Sequence, residues 1–122
     1  MTLNVYTPYL PGSNSTELLP VAFWIYGGAF RSGSNSLPTC EAVNERFRHE
    51  LIQSTDDGGN IASRGDVVSV VVNYRLGALG NLASATRWNG NQGITDQIQA
   101  LKWVQEYISA LGGDPSRVTI YG

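Results

Sequence analysis

The sequence holds one cysteine among 122 residues, few charges and no long apolar run. A lone thiol, Cys40, excludes an internal disulfide framework and most often behaves as a small hydrophobe. Charged residues are 15% of the chain and the formal net charge is −2, so nothing invites nucleic acid or an anionic membrane surface. No stretch approaches the ~20 apolar residues that a membrane-spanning helix needs. The first eight residues, Met1 to Pro8, lack a basic region followed by an apolar one, so no signal peptide is expected there. What is present is a hydrophobic fraction of 42%, too high for disorder and suited to one ordinary domain. Asn14-Ser15-Thr16 fits a glycosylation sequon, a pattern common by chance, and the compartment stays open.

Residues 2–6 alternate as a half-buried strand does, and Pro8, Pro11 and Gly12 end it. The segment from Pro11 to Pro20 is polar and turn-rich and reads as a loop. Val21–Tyr26 is a short apolar run between proline and glycine, so a strand buried on both faces is expected. Val67–Tyr74 is a second such run. Two fully apolar strands of this kind point to a parallel sheet covered by helices. A short helix is expected around Cys40–Gln53, from the spacing of Ala42, Val43, Phe47, Leu51 and Ile52. From Thr95 to Leu111 a helix is expected whose apolar face carries Ile94, Ile98, Leu101, Val104, Ile108 and Leu111. Asp96 then falls in its first turn, where negative charge suits the helix dipole. Gly112-Gly113 and Pro115 stop the helix, and Arg117–Tyr121 is one more strand. Strands alternating with a helix predict an α/β fold.

Gly27 and Gly28 directly follow the Val21–Tyr26 strand. Acyl transfer builds negative charge on a carbonyl oxygen, and backbone N–H groups aimed at that point stabilise it. Glycine lets a loop turn its amides inward without a Cβ in the way. A tight turn explains the same pair, and so does a phosphate loop, although neither G-x-G-x-x-G nor a Walker lysine is present. At the other end, a short strand runs into Gly122. In serine hydrolases such a strand delivers G-x-S-x-G, with the nucleophile two residues past the first glycine.

Taken together, six segments resemble the type-B carboxylesterases, the cholinesterase-like α/β-hydrolases. They are Leu3 to Pro8, Trp24 to Gly33, Asn73 to Gly80, Gly90 to Gln97, Ala100 to Ile108 and Gly112 to Gly122. They occur in the family's order across nearly the whole chain, and residues 35–59 stand apart as a divergent loop insertion. The resemblance implies a partial α/β-hydrolase fold, a mixed, mostly parallel sheet with flanking helices. In it the oxyanion-loop strand, Val21–Tyr26, would neighbour the elbow strand, Val118–Tyr121. Residues 1–122 would then be the N-terminal portion of a single domain, incomplete at its C-terminus and at its N-terminus.

Residue by residue, the resemblance implies that Gly27, Gly28 and Ala29 form the oxyanion loop, with the amides of Gly28 and Ala29 as donors. Ala29 stands where the family often has glycine, and its methyl leaves the amide free while narrowing the acyl pocket. Gly122 aligns with the first glycine of the serine elbow. Arg75 and Asp96 match a buried ion pair that anchors the helix, a structural role rather than a catalytic one. The implied activity is carboxylic-ester hydrolysis through a serine ester that water releases. The expected partner is a small-molecule carboxylic ester, with no cofactor and no metal. The serine, its acidic partner and the catalytic histidine have no counterpart among these residues, so the 122 residues alone are expected to be inactive. A non-catalytic, cholinesterase-like binding module is the alternative. His49 lies in the divergent segment and reads as an exposed histidine. Ser32 and Ser34 read as loop hydroxyls bonding backbone, and Trp103 as a packing residue.

Overall fold

Val68–Asn73 is the most deeply buried strand, with Val68, Ser69, Val70, Val71 and Val72 all shielded on both faces. The computed structural model describes residues 1–9, 17–35, 61–63, 66–82 and 90–122. The helix expected around Cys40–Gln53, His49, the Asn14 sequon and the divergent 35–59 segment beyond Asn35 fall outside them. Among the described residues, four strands form one sheet: β1 (Thr2–Tyr6), β2 (Leu19–Trp24), β3 (Val68–Asn73) and β4 (Gly113–Tyr121), in the order β1-β3-β2-β4. β1 runs antiparallel to β3, while β2 is parallel to both β3 and β4. The sheet is therefore mixed and mostly parallel, and the β2–β4 adjacency expected from the family resemblance is present.

Helix α1 (Gly77–Asn81) and helix α2 (Gln92–Tyr107) lie between β3 and β4, and a single 3₁₀ turn, Ile108–Leu111, ends α2. Gly112 then takes a left-handed φ of 84°, a conformation open to glycine, and reverses the chain into β4. The core joins Val21 and Phe23 of β2 and Val68, Val70 and Val72 of β3 to Ala100, Val104 and Ile108 of the helical layer. Full burial of a side chain such as Phe23 stabilises the fold by about 2–3 kcal/mol.

The bounds of β2 and β4 differ most among the strands from the sequence reading. β2 spans Leu19–Trp24 instead of Val21–Tyr26, because the Leu19 amide donates to Gly112 O at 2.8 Å and draws the strand start back into the expected loop. Pro20, which has no N–H to offer, sits where the β2–β4 register shifts between Leu19 and Val21. The face of β2 opposite Val21 and Phe23 is only half-buried, so burial on both faces holds for β3 alone. β4 begins at Gly113 instead of Arg117. The Asp114 carboxylate takes bonds from Ser116 N at 2.9 Å and Ser116 Oγ at 2.7 Å, which turns the chain locally inside the strand.

The largest correction concerns α2. It starts at Gln92, so Asp96 lies beyond the first turn and its charge serves a neighbour instead of the helix dipole. Its buried positions are Gly93, Asp96, Ala100 and Val104, whereas Ile94 and Ile98 are 37% and 50% exposed. Two small residues and a paired carboxylate face inward because the helix approaches the Tyr74–Arg75 backbone closely. A Cβ on Gly93 would press on Arg75 O. Hydropathy ranks isoleucine above glycine and aspartate, but close approach and ion pairing set the roll of this helix. Trp103 packs partly buried against the core and 5.7 Å from the Tyr107 ring.

Candidate active site

β2 and β4 carry the two candidate motifs to the same edge of the sheet. Trp24 pairs with Tyr121, their rings 4.9 Å apart, and the Ile25 amide donates to Tyr121 O at 2.9 Å. Gly122 follows at once, packed so closely that a Cβ there would be driven into the Ile25 carbonyl. Two residues beyond Ile25, Gly27, Gly28 and Ala29 emerge exposed from the carboxyl end of β2. This is the end of an open α/β sheet at which ligands bind.

The loop turns through Gly28 (φ 125°), Ala29 (φ 53°) and Phe30 (φ 59°), three successive residues in left-handed conformations. For Ala29 and Phe30 such backbone is uncommon and costs on the order of 1 kcal/mol each. The turn is closed by Gly28 O, which accepts from Arg31 N at 3.0 Å, Ser32 N at 3.2 Å and Ser32 Oγ at 3.5 Å. Among the described residues, no backbone carbonyl accepts from the amides of Gly28 or Ala29. A Cβ at Gly28 would be forced into Ser32 O, so this turn requires glycine. An open depression beside the loop is lined by Ala29, Phe30, Arg31, Gly77, Ala78 and Asn81.

Behind the loop stands the segment that follows β3. Tyr26 and Tyr74 stack with ring centroids 4.7 Å apart and 17° between planes, both buried. Tyr74 Oη donates to Tyr26 O at 2.9 Å, while Tyr26 Oη lies 2.9 Å from Asn73 Oδ1 and 3.3 Å from Tyr74 O. Burial raises the pKa of both phenols above the ordinary tyrosine value. Phe30 O accepts from Gly77 N at 2.7 Å and from Asn81 Nδ2 at 3.3 Å.

Arg75 is held in turn by α2. Its amide donates to Asp96 Oδ2 at 3.0 Å, its Nε to the same oxygen at 2.8 Å and its Nη2 to Oδ1 at 2.8 Å. The expected buried pair is only half so: Asp96 is buried, whereas the Arg75 side chain is 48% exposed, and the pair bridges core and surface. Hydrogen bonds from Arg75 hold the Asp96 carboxyl below its usual pKa, and the same bonds push the guanidinium up.

The structure thus brings Gly27, Gly28, Ala29 and Gly122 to one sheet edge and places Arg75 and Asp96 behind them. The sequence reading missed Tyr26, Asn73, Tyr74, Gly77 and Asn81 as members of this neighbourhood. Their hydroxyls and amides follow no periodicity, and only the Asn73-Tyr74-Arg75 string hinted at them. Among the described residues, no group of three or more His, Cys, Asp or Glu is placed to hold a metal, and no helix is long and apolar enough to cross a membrane.

A mostly parallel sheet with helices between its strands and a glycine-rich turn at its carboxyl edge is an α/β arrangement, and the solved structures it matches make it part of an α/β-hydrolase fold. Among solved structures, a PNB esterase superposes with a TM-score of 0.75 at 39% identity, over 98% of this chain and 22% of that one. The carboxylesterase family model matches residues 1–122, and the chain belongs to that family. It is 41% identical to a para-nitrobenzyl esterase of Bacillus subtilis (strain 168), over 98% of this chain and 21% of that protein. It is 40% identical to acetylcholinesterase-1 of Trittame loki and to the human bile salt-activated lipase, covering 98% of this chain and 19% and 15% of those proteins. The chain therefore spans about a fifth of the length of the curated relatives it matches.

Proposed function

We propose that this chain supplies the oxyanion half of a carboxylic-ester hydrolase site, with small-molecule carboxylic esters as substrates. The observation that carries this reading is the pair of adjacent amides, Gly28 and Ala29, exposed at the carboxyl end of β2 with no backbone acceptor among the described residues. Two such donors aimed at one point would stabilise charge developing there without having to reorganise. In this reading Gly122 opens the nucleophile elbow, and the β2–β4 ladder sets the separation of elbow and donors. A serine beyond such a glycine would attack the ester carbonyl and expel the alcohol, and water would then release the acid. The Arg75–Asp96 pair fixes the scaffold and takes no part in the chemistry. The 122 residues alone hold donors without the nucleophile and base, and are inactive by themselves.

Two measurements test this. The 122-residue chain, offered p-nitrophenyl acetate, is expected to release p-nitrophenol no faster than buffer, and turnover would contradict the assignment. In a chimera, residues 1–122 replace the matching segment of the Bacillus subtilis para-nitrobenzyl esterase. That chimera is expected to hydrolyse the same ester, and Gly28→Ala is expected to lower kcat by about 10²–10³, because the Cβ driven into Ser32 O displaces the donor amides from the developing oxyanion. A chimera that melts cooperatively yet stays inert would favour a non-catalytic binding module. Unchanged hydrolysis in Gly28→Ala would remove the loop from the chemistry.

A further inference from the structure

The oxyanion loop is tied at both of its ends by a single short segment, residues 74–77. Ahead of the loop, Tyr74 Oη donates to Tyr26 O at 2.9 Å; behind it, Gly77 N donates to Phe30 O at 2.7 Å. We propose that Tyr74 is a positioning residue for the Gly28 and Ala29 amides, acting through its hydroxyl. This rests on the reading of that loop as the oxyanion donor.

The physical reason lies in peptide planarity. Tyr26 O shares a rigid plane with the amide of Gly27, so a bond that fixes the oxygen fixes the orientation in which the chain enters the loop. Phe30 O does the same where the chain leaves. Only the torsions of residues 27–30 lie between the two fixed planes, and these must realise the left-handed conformations of Gly28, Ala29 and Phe30. A loop with strained residues reverts toward ordinary backbone unless its surroundings over-determine it.

The tyrosine pair is built as a reciprocal latch. The rings stack, and each hydroxyl also reaches the partner's carbonyl, Tyr74 to Tyr26 at 2.9 Å and Tyr26 to Tyr74 at 3.3 Å. The two hydroxyls differ in what they hold. The Tyr74 hydroxyl bonds the loop side, at the residue before Gly27, whereas the Tyr26 hydroxyl bonds the β3 side, at Asn73 and Tyr74. Gly33, on the far side of the loop, packs against the Tyr26 ring so tightly that a Cβ there would collide with it. Tyr74 itself cannot drift, because the amide of the next residue, Arg75, is bonded to the buried Asp96 carboxylate at 3.0 Å.

The test replaces one hydroxyl at a time. Tyr74→Phe keeps the stacked ring and removes only the bond to Tyr26 O; Tyr26→Phe keeps that bond and removes an equally buried hydroxyl on the other side. Amide hydrogen exchange in the full chain is read at Arg31, Ser32 and Gly77, whose N–H groups close the loop. Tyr74→Phe is expected to speed exchange at these three amides on the order of 10-fold, as loss of one buried hydrogen bond does, with Val70 and Val72 unchanged. Tyr26→Phe is expected to alter them by less than 3-fold. Equal effects in the two variants, or none in Tyr74→Phe, would overturn the proposal without any assay of activity. In the esterase chimera, Tyr74→Phe is expected to lower kcat on the order of 10-fold or more with KM within 2-fold, because displaced donors lose transition-state contacts and spare substrate binding. If Gly28→Ala abolishes hydrolysis and Tyr74→Phe leaves kcat intact, the loop is catalytic and Tyr74 does not position it. If Gly28→Ala is silent, the reading of the loop itself fails.

Discussion

Asp96 takes three hydrogen bonds from Arg75, one from its backbone amide and two from its guanidinium. One carboxylate thereby fixes both the main chain and the side chain at the point where β3 hands over to α1. Replacing it leaves a buried gap and an amide without its acceptor. Asp96→Ala is expected to destabilise the protein by about 1–3 kcal/mol, below the cost of breaking a fully buried pair because water reaches the guanidinium. Urea denaturation measures this, and an unchanged midpoint would contradict the anchoring role.

Acid should expose two carboxylates. Asp114 is held down to about 2 by the Ser116 hydroxyl, by Arg117 Nε at 2.7 Å and by the Ser116 amide. Asp96 is also lowered, chiefly by the bonds from Arg75. A depressed folded-state pKa means the stabilisation is complete above the unfolded carboxyl value of about 3.9 and fades as pH falls through the folded value. The stability difference between the protein and Asp114→Asn is expected to be constant above about pH 5 and to vanish near pH 2. A difference that persists unchanged to pH 2 would rule out this linkage.

Arg75 is also gripped from its carbonyl side. Gly80 and Gly93, one from each helix, both lie against Arg75 O, and a Cβ on either would collide with backbone. Gly80→Ala is expected to cost about 1–3 kcal/mol although alanine is the better helix former. A rise in Tm on this substitution would show that the grip is loose.

One buried hydroxyl works against the fold. Ser69 is fully buried in β3, and its Oγ has no hydrogen-bond partner among the described residues. Ser69→Ala removes the unmet group without changing the strand and is expected to stabilise by about 1 kcal/mol. A loss of stability would mean that Oγ finds a partner in solution.

Much of this architecture can be read from residue order alone, and the remainder fails for identifiable reasons. β1 announces itself by the alternation of a half-buried strand, and β3 by a short continuous apolar run rich in β-branched residues. The placement of β2 beside β4 came from family likeness, since no hydropathy pattern says which strands pair. The roll of α2 was misjudged because Gly93 and Asp96 outweigh Ile94 and Ile98 for reasons of contact rather than hydropathy. At the site, Gly27 and Gly28 were visible as glycines after a strand. Tyr26 and Tyr74 fall within segments that carry the family likeness, but their pairing was not legible, since their bonds join positions far apart in sequence.

The Ile25–Tyr121 hydrogen bond has a consequence for how the site comes into being. It joins residues far apart in sequence, so neither motif can acquire its position from its own neighbourhood. Pairings of that span form slowly, because the intervening loop must be ordered before any contact rewards it. The loop from Gly27 to Ala29 and Gly122 would therefore come into register in a late, long-range step. Substitutions that weaken the β2–β4 ladder would delay the appearance of the site while leaving each of its residues in place.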